Sequence, residues 1–486
     1  MAERFPFPSF PRGWFVVGFS HELAPGQVKT VHHFDQDIVL FRTMSGVLSA
    51  VDKVCPHLGA HVGGGRVDGE CLRCPFHAWG FDATGKCVDV PYAPKIPPKA
   101  ALRSWPLREQ NGAVFVYFDP AGQPPSWEIP ALAEDGWTPN QTIRWEIRSH
   151  PQEIAENTVD TAHLLPVHDA KGTRVVSLEQ RDHFMRVLLN FTASGAVIQM
   201  PDEVNDVELD VTLHGLGQLI SSTRVTTAGL RTRQRIHPTP IDRERIAIFA
   251  LGNMQVMPDP QYTREMDQIF WEAFVADFAK DFPIWENKAY LEQPMLAGGD
   301  GPIAKYRRWA RQFYAYPQAA QAPAEHGARL GVRRRLSQWL GRAAPGHEHE
   351  HEAPEAITAV LSNGSRAPAA KPAQASFASV DAYFAELERR FDARAAGDLS
   401  AVYQWQLTGD NARTTFAEIA GGAIRVNDGV HPAPTVTIEM SSADYLLMIN
   451  GTLNGALAFS TGRGKLRGPV RLAMKMKSLF PLERIL

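Results

Sequence analysis

Short apolar runs, separated by glycine and proline, fill the first quarter of the chain. Residues 39–42, 47–51 and 114–118 read V-L-F-R, V-L-S-A-V and V-F-V-Y-F, which are strand-like segments between turn residues. Prolines at positions 124, 125 and 130 then interrupt the pattern. The pattern predicts a small all-β domain over residues 1–130.

The pattern becomes mixed over residues 131–317. A helix is predicted to begin at Pro151, because proline is tolerated at the first helical position. Strand-like runs follow at residues 184–191 and 245–251, and a helical pattern covers residues 262–282. This combination predicts an α+β domain built on an antiparallel sheet.

The rest of the chain divides into a polar segment and a further domain. Residues 318–374 are rich in Ala, Pro, Gly and charge, which is typical of a flexible linker, and the tract H-E-H-E-H-E at 347–352 fits solvated chain better than a metal site. In residues 375–486, Ser379 can cap an amphipathic helix that continues to Phe391. Residues 434–440, P-T-V-T-I-E-M, alternate as in a half-buried strand, so a small α/β domain is expected.

Composition narrows the class of protein. The chain has 486 residues and a net charge of −3, so no overall basic field favours nucleic acid.

The start of the chain lacks a basic segment followed by an apolar run, and no apolar stretch reaches the ~18 residues that span a bilayer. We therefore expect a cytoplasmic protein. The arginine-rich amphipathic pattern at residues 332–342 leaves two alternatives open, peripheral membrane contact and packing on a neighbouring subunit.

All four cysteines lie in one short segment that ends at Cys87, which favours a metal site over a disulfide framework. The motif C-P-H-L-G-A-H pairs Cys55 with His57, and C-P-F-H pairs Cys74 with His77. Two thiolates and two imidazoles suit a [2Fe–2S] cluster in which histidines replace two thiolates on one iron. Tetrahedral zinc accepts the same ligands, but the spacing and the flanks L-G and F-H-A-W favour the cluster.

A second motif, E-N-T-V-D-T-A-H-L-L-P-V-H, offers ligands for a mononuclear iron. Asn157, Asp160 and His163 recur at a spacing of three, so they should share one side of a helix. On a continuous helix His168 would point about 140° away, but Pro166 can end or kink the helix so that both imidazoles converge. Two histidines and one carboxylate form the facial triad of non-haem Fe(II) oxygenases. The alternative is the ordinary polar face of a helix.

The carboxylate of such a triad must come from a distant part of the chain. The candidates on or near the predicted helix at residues 262–282 are Asp281, Asp277, Glu272 and Glu286. The aspartate of the second motif has a different expected role. Because Asp160 lies three residues before a ligand histidine, it can hydrogen-bond the imidazole.

The segments C-P-H-L-G-A-H-V and C-P-F-H-A-W resemble the Rieske domain of Rieske oxygenases, and the similarity covers residues 13–119. The phrases G-W-F-V-V-G and E-Q-N-G-A-V-F-V are similar to the steroid branch, which includes the cholesterol 7-desaturases and the 3-ketosteroid 9α-hydroxylases. That branch carries a similar D-x-x-I-W segment, which favours Asp281 as the third ligand. The resemblance implies a helix-grip catalytic domain, a [2Fe–2S] cluster and a mononuclear Fe²⁺.

The resemblance also implies what the protein works with. An external ferredoxin and an NAD(P)H-dependent reductase would supply electrons, since no dinucleotide-binding motif follows a strand here. O₂ and a sterol or steroid would be the substrates, and hydroxylation, desaturation or methyl oxidation the outcome. In this family, an aspartate at the position of Asp160 joins a Rieske histidine of one subunit to an iron-ligating histidine of the next. A homotrimer is therefore implied, with Asp160 and the neighbouring Asn157 in catalytic roles.

Within residues 376–480, G-T-L-N-G-A-L-A-F-S-T-G-R-G-K-L-R-G-P-V resembles sterol-carrier-protein domains. Such domains hold a lipid in an apolar tunnel beside a five-stranded sheet, although the same side chains are also what an ordinary core needs. One alternative is an electron-transfer and lipid-binding protein without oxygenase chemistry, which would not need His163 and His168. The candidate tunnel residues are Tyr445, Leu446, Leu447, Ile449, Leu457, Phe459, Leu472 and Met474.

Overall fold

Three small antiparallel sheets form the N-terminal domain of the computed structural model, which describes residues 4–195, 204–315 and 376–481. The strand orders are β1-β10-β9, β2-β3-β4 and β5-β6-β7-β8, and the strands predicted at 39–42, 47–51 and 114–118 are confirmed. The predicted linker, with its His/Glu tract and its arginine-rich pattern, lies outside the described residues. The strands are β1 (Gly13–Phe19), β2 (Val28–His33), β3 (Gln36–Arg42), β4 (Leu48–Asp52), β5 (Arg66–Asp68), β6 (Cys71–Arg73), β7 (Gly80–Phe81), β8 (Cys87–Asp89), β9 (Leu107–Gln110) and β10 (Ala113–Phe118).

Strand β1 joins the N-terminal domain to the rest of the molecule. All seven of its residues are buried, which explains the unbroken apolar run G-W-F-V-V-G-F. Successive side chains of a strand point to opposite faces. Trp14 and Val16 accordingly pack in the core of the central domain, whereas Phe15 and Val17 pack in the N-terminal domain.

A seven-stranded antiparallel sheet forms the central domain, as predicted. Its order is β11-β17-β16-β15-β14-β13-β12, so β12 to β17 follow one another as hairpins and β11 pairs with β17 at one edge. The strands are β11 (Gln141–Ile147), β12 (Ala170–Arg181), β13 (Phe184–Ser194), β14 (Val204–His214), β15 (Leu219–Val225), β16 (Leu230–Pro240) and β17 (Ile246–Met254). The helices are α1 (Pro151–Glu156), α2 (Leu164–His168), α3 (Pro260–Phe278), α4 (Phe282–Asn287) and α5 (Ile303–Ala310).

The helix predicted over residues 262–282 is shorter than expected. Helix α3 ends at Phe278, a 3-10 turn spans Ala279–Asp281, and α4 begins at Phe282. Pro283 lies in the first turn of α4, where its missing N–H interrupts the helical hydrogen-bond pattern. Asp281 consequently lies in a tight turn rather than within a long helix.

The C-terminal domain is a five-stranded sheet with helices, in agreement with the predicted small α/β domain. The Ser379 hydroxyl accepts a hydrogen bond from the N–H of Ala382 at 3.2 Å, which confirms the predicted cap, but the helix breaks at Glu386, where ψ is −3°. The sheet order is β20-β19-β18-β21-β22, with β18 and β21 parallel. The elements are α6 (Val380–Ala385), α7 (Leu387–Arg390), α8 (Ala393–Ala396), β18 (Ala401–Thr408), β19 (Arg413–Ala420), β20 (Ala423–Asp428), β21 (Val436–Ser441), α9 (Ser442–Ile449), α10 (Gly455–Ser460), β22 (Gly464–Arg467) and α11 (Val470–Leu479).

The C-terminal domain packs against the central domain through a shared apolar cluster. Met254 of β17 and Met266 of α3 are fully buried in the same cluster as Tyr445 of α9. The hydroxyl of Ser460 also donates to the carbonyl oxygen of Ala228 at 2.7 Å. A fully buried apolar side chain contributes about 1.5–3 kcal/mol, and a surface ion pair at most about 1 kcal/mol. Apolar burial therefore dominates the stability of this interface.

Candidate functional site

Two loops of the same shape bring the predicted cluster ligands together. In residues 55–60 the N–H of Gly59 donates to the carbonyl of Cys55 at 3.0 Å, and in residues 74–79 the N–H of Ala78 donates to the carbonyl of Cys74 at 3.1 Å. Gly59 and Ala78 have φ values of +79° and +56°, in the left-handed region. Each loop therefore turns back on itself four residues after its cysteine.

The four predicted cluster ligands form one compact group. Cys55 and Cys74 are 2% and 3% exposed, and the ring centroids of His57 and His77 are 4.5 Å apart. The Nδ1 atom of His57 is buried and has no hydrogen-bond partner among the described residues. Burial, with the Cys74 thiol nearby, raises the pKa of Cys55 to about 11. Two buried thiols beside an unpaired imidazole nitrogen are groups that a bound metal cluster would satisfy.

The two imidazoles are half-buried and lie beside exposed apolar side chains. The His57 ring stacks on Trp79 with centroids 4.6 Å apart, and the Trp79 indole N–H donates to the Tyr92 hydroxyl at 2.9 Å. Leu58 and Phe76, which follow Cys55 and Cys74 by three and two residues, are 65% and 62% exposed. An electron carried at this site would therefore be close to the molecular surface.

The second site brings His163, His168 and Asp281 together. One possible ligand atom of each lies within 4.8 Å of the others. The Nε2 atom of His168 is 3.3 Å from Oδ2 of Asp281, and the two imidazole centroids are 5.3 Å apart. The Asp281 side chain is only 6% exposed. Two imidazoles and one carboxylate at this spacing are compatible with a facial triad on one iron.

The predicted helix through Asn157, Asp160 and His163, with its end or kink at Pro166, is wrong. Helix α1 ends at Glu156, and α2 begins only at Leu164, with His163 as its N-cap and His168 as its last residue. Pro166 is the third residue of α2, where a missing N–H costs little because that donor has no partner within the helix. The histidines therefore occupy the two ends of one short helix, and the break precedes them both.

A distant loop holds the turn before His163. The N–H of Thr161 donates to the carbonyl of Asp300 and its hydroxyl donates to the carbonyl of Gly299, each at 3.2 Å. At Gly301 φ is +94°, and a Cβ there would lie 2.0 Å from the carbonyl oxygen of Val159. The turn after α1 keeps backbone hydrogen bonds as far as Asp160, and the loop takes over at Thr161. This contact was not predicted from the sequence.

Each imidazole of the second site is supported at Nδ1. The Nδ1 atom of His168 donates to Oδ2 of Asp277 at 3.0 Å, and Nδ1 of His163 contacts the backbone oxygen of Asp160. Burial alone would lower the pKa of His168, but hydrogen bonds to Asp277 and Asp281 outweigh it and raise the pKa to about 9. Burial alone would raise the pKa of Asp160, but its hydrogen bonds with His163 hold it below the usual value. Both contacts are made by Nδ1, so Nε2 of each ring is the nitrogen that a metal would bind.

The other predicted residues lie around this group. Among the described residues, the set that can share one metal ion contains Asp281 and none of the alternative carboxylates. Asp277 contacts the other nitrogen of His168, and Glu272 pairs with Arg471 of the C-terminal domain. The amide oxygen of Asn157 accepts a hydrogen bond from the indole of Trp285 at 3.4 Å. The ligand and catalytic roles of these residues stay predictions.

Three protein-family models match the chain. The Rieske [2Fe-2S] domain matches residues 13–106, and the 3-ketosteroid 9alpha-hydroxylase C-terminal domain matches residues 116–314. The SCP-2 sterol transfer family matches residues 384–481. All three resemblances drawn from the sequence are thus confirmed at the level of the family.

Named relatives match somewhat less than two thirds of the chain. A cholesterol 7-desaturase of Ciona intestinalis is 32% identical over 63% of this chain and 69% of its own. A probable 3-ketosteroid-9-alpha-monooxygenase oxygenase component of Rhodococcus rhodochrous is 31% identical over 64% of this chain and 81% of its own. The crystal structure of dicamba monooxygenase bound to dicamba, at a TM-score of 0.52 and 20% identity over 62% of this chain and 96% of that one, shares the fold. The chain belongs to the Rieske oxygenase family that includes the cholesterol 7-desaturases and the oxygenase components of the 3-ketosteroid-9-alpha-monooxygenases.

Proposed function

We propose that this oxygenase oxidises a C–H bond of a sterol or steroid with O₂. The observation that carries the proposal is the convergence of His163, His168 and Asp281 within 4.8 Å, in a chain that also holds a Rieske domain. The sterol assignment is supported by the names of the relatives and by the match to the SCP-2 sterol transfer family. Electrons are proposed to come from a separate ferredoxin and an NAD(P)H-dependent reductase.

Cys55, His57, Cys74 and His77 are the proposed ligands of the [2Fe–2S] cluster. The buried thiols and the unpaired Nδ1 of His57 fit this group. The cluster, when bound, would store one electron and pass it on. Exposed Leu58 and Phe76 beside the histidines keep this part of the surface apolar. That arrangement supports docking of another protein surface close to the imidazoles.

His163, His168 and Asp281 are the proposed ligands of the mononuclear iron. The donor set fits Fe²⁺, which when bound would supply O₂ activation beside the substrate. Asp277 and the backbone oxygen of Asp160 hold the two Nδ1 atoms, so that both Nε2 atoms remain available. Phe282 follows Asp281 in the sequence, and the rings of Phe278 and Phe282 pack on Trp145 with centroids 5.6 and 5.4 Å apart.

Asp160 is proposed to connect two subunits of a homotrimer. Within one chain its hydrogen bonds run to His163, while 31% of its side chain remains exposed. A Rieske histidine of a neighbouring subunit could therefore reach its free carboxylate oxygen. Light scattering should then give three times the chain mass of 53.8 kDa, and the mass of a monomer would contradict the proposal.

The relatives include both a desaturase and a monooxygenase, so the product of the reaction needs a separate proposal. Hydroxylation, 7-desaturation and oxidation of a C-4 methyl group are the three candidate outcomes. Purified protein with a reductase system and a panel of sterols would separate them by product mass. The three results would be a gain of one oxygen, a loss of two hydrogens, or a gain of two oxygens with a loss of two hydrogens when a methyl group is oxidised to the carboxylic acid. No sterol-dependent O₂ consumption, together with no mononuclear iron, would favour the electron-transfer and lipid-binding alternative.

We further propose that the protein works in the cytoplasm, with peripheral membrane contact for substrate supply. In the described part of the chain no helix is long and apolar enough to cross a membrane. The C-terminal domain would deliver a poorly soluble sterol at a raised local concentration. Of its predicted tunnel residues, Tyr445, Ile449 and Phe459 are buried and Leu447 is 39% exposed. A fluorescent sterol that binds the full-length protein and is displaced by cholesterol would support this role, and no binding would contradict it.

A further inference from the structure

Helix α3 belongs to two apolar cores. Met266 and Ile269 in its first half are buried in the cluster that fills the C-terminal domain. Phe278 at its end packs against the core of the central domain. The same helix carries Asp277, which contacts His168, and it leads directly into the turn that holds Asp281.

We propose that the C-terminal domain is a positioning element of the mononuclear iron site. It holds the first half of α3, whose second half carries Asp277 and leads into the 3-10 turn that carries Asp281. These two carboxylates contact the two nitrogens of His168. The inference rests on the iron ligands proposed above. It assigns the domain a role in the chemistry at the iron that is separate from carrying lipid.

Polar contacts fix α3 along its axis. The carboxylate of Glu265 accepts a hydrogen bond from the N–H of Val470 at 2.5 Å, at the start of α11. The N-cap of α11 is Pro469, whose side chain offers no acceptor. Glu265 therefore caps a helix of the neighbouring domain. One turn earlier, the amide of Gln261 donates to the carbonyl of Gly468 at 3.2 Å.

Two further contacts lie on either side of this cap. Arg471 pairs with Glu272, which lies five residues before Asp277 on α3. On the other side, the hairpin between β15 and β16 approaches α10 so closely that a Cβ at Gly229 would lie 2.9 Å from Leu457. The C-terminal domain thus contacts α3 from its first turn to within about 7.5 Å of Asp277, at 1.5 Å of helix per residue.

A small displacement of α3 would disturb the site. Metal–ligand distances keep to within about 0.2 Å of their ideal values, so a shift of a few tenths of an ångström at Asp281 weakens binding. A helix transmits axial displacement because its backbone hydrogen bonds run along the axis. Loosening the first half of α3 should therefore lower iron affinity without removing any atom near the iron.

The test uses the full-length protein with its cluster assembled and its mononuclear iron removed. Fe(II) alone is then titrated anaerobically, and the nitric oxide adduct is recorded by electron paramagnetic resonance. Glu265→Ala should weaken Fe(II) binding roughly 2- to 30-fold, the range of coupling between distant sites. Glu265→Gln keeps an acceptor for Val470 and should restore most of the affinity. The visible spectrum of the cluster should be the same in all variants.

The matched control is Glu439→Ala. It removes the pair between Glu439 and Arg467, which lies within the C-terminal domain and does not involve α3. Iron affinity should be that of the wild type in this variant. If Glu265→Ala does not fold, Glu272→Ala replaces it, since that pair is half exposed and its loss leaves the cores intact.

Two results would distinguish a failure of the positioning role from a failure of the proposed iron ligands. Iron affinity that is unchanged in Glu265→Ala, even with a lower melting temperature, would overturn the positioning role. Full iron affinity in His168→Ala would instead show that the proposed ligands are wrong. Loss of iron in His168→Ala with a graded loss in Glu265→Ala is the result that we expect.

Discussion

The Nδ1 atom of His168 lies 3.0 Å from Oδ2 of Asp277, while Nε2 of the same ring lies 3.3 Å from Oδ2 of Asp281. The first contact holds a proton on Nδ1, so Nε2 is the nitrogen that a metal would bind in place of a proton. An imidazole held in this way is also a more basic ligand, because the carboxylate stabilises positive charge on the ring.

Removing the Asp277 carboxylate should weaken iron binding without removing a ligand. We expect Asp277→Ala to lower Fe(II) affinity about 10- to 100-fold, and Asp277→Asn to fall between this variant and the wild type, because an amide oxygen accepts a weaker hydrogen bond. Anaerobic Fe(II) titration with an iron chelator as competitor measures the change.

Glu286→Gln is the control for Asp277→Ala. This carboxylate follows Asp281 by five residues and lies outside the group that can share one metal ion. The affinity of the Glu286→Gln variant for Fe(II) should equal that of the wild type. If Glu286→Gln loses iron and Asp277→Ala retains it, the ligand assignment at this end of α3 is wrong.

Gly301 should be needed for the iron site although it contacts no ligand. Its φ of +94° strains any other residue, and an added Cβ would lie 2.0 Å from the Val159 carbonyl, so the turn before His163 must move. We expect Gly301→Ala to lose most of its bound iron and about 1–3 kcal/mol of unfolding free energy. Iron content and urea unfolding measure the two effects.

Gly298→Ala provides the comparison in the same loop. Among the described residues, no atom lies within 4 Å of a Cβ at Gly298, and the φ of Gly298 is not in the left-handed region. This variant should keep both iron and stability. Equal behaviour of the two alanine variants would show that the close approach to Val159 is not what holds the turn.

His150 should make the protein sensitive to acid. Its Nδ1 accepts a hydrogen bond from the N–H of Gln152 at 3.2 Å at the start of α1, and burial, with Arg243 nearby, lowers the pKa of His150 to about 3. In the unfolded chain His150 takes up a proton near pH 6.5, whereas in the folded chain it does so only near pH 3. The stability that the neutral imidazole contributes is therefore complete above pH 6.5 and is lost as the pH falls toward 3. At pH 4.5 the loss amounts to about 3 kcal/mol.

His150→Asn tests this dependence. Asparagine also caps helices but does not titrate, so the variant should lose less stability between pH 6.5 and 4.5 than the wild type. The pH dependence of the melting temperature is the measurement. The melting temperature of the variant at neutral pH should be lower than that of the wild type, because the variant loses the ring contact with Phe7 at 4.4 Å. Identical pH dependence in the two proteins would refute the assignment.

The four residues predicted as cluster ligands lie together because Cys55 and His57, like Cys74 and His77, are close in the chain and share one loop each. It also pointed to Asp281, and the four-residue spacing of Asp277 and Asp281 would have placed both carboxylates on the same face of a helix. The local pattern missed the break before His163, because the contacts that hold the turn come from a loop about 140 residues later.

The sequence could not show that α3 is buried partly by the central domain and partly by the C-terminal domain. Met266 and Ile269 have the spacing of ordinary core residues, and periodicity identifies a buried face without identifying what buries it. Here the covering side chains, such as Tyr445 and Phe459, lie almost 200 residues further along the chain. Only the tertiary structure shows that the domain resembling a lipid carrier also supports the helix that leads to Asp281.

Replacing Asp160 should separate electron transfer from iron binding. The backbone oxygen of Asp160, not its carboxylate, makes the short contact with Nδ1 of His163, so Asp160→Asn should keep its iron. The variant loses a charged hydrogen-bond acceptor, and we expect product formed per reduced cluster in a single turnover to fall roughly 10- to 100-fold, the equivalent of about 1.5–3 kcal/mol. Asp169→Asn, at an exposed left-handed position after α2, should retain full turnover. Normal single-turnover yield in Asp160→Asn would rule out the bridge between subunits, and loss of iron would show that the carboxylate instead supports the ligand.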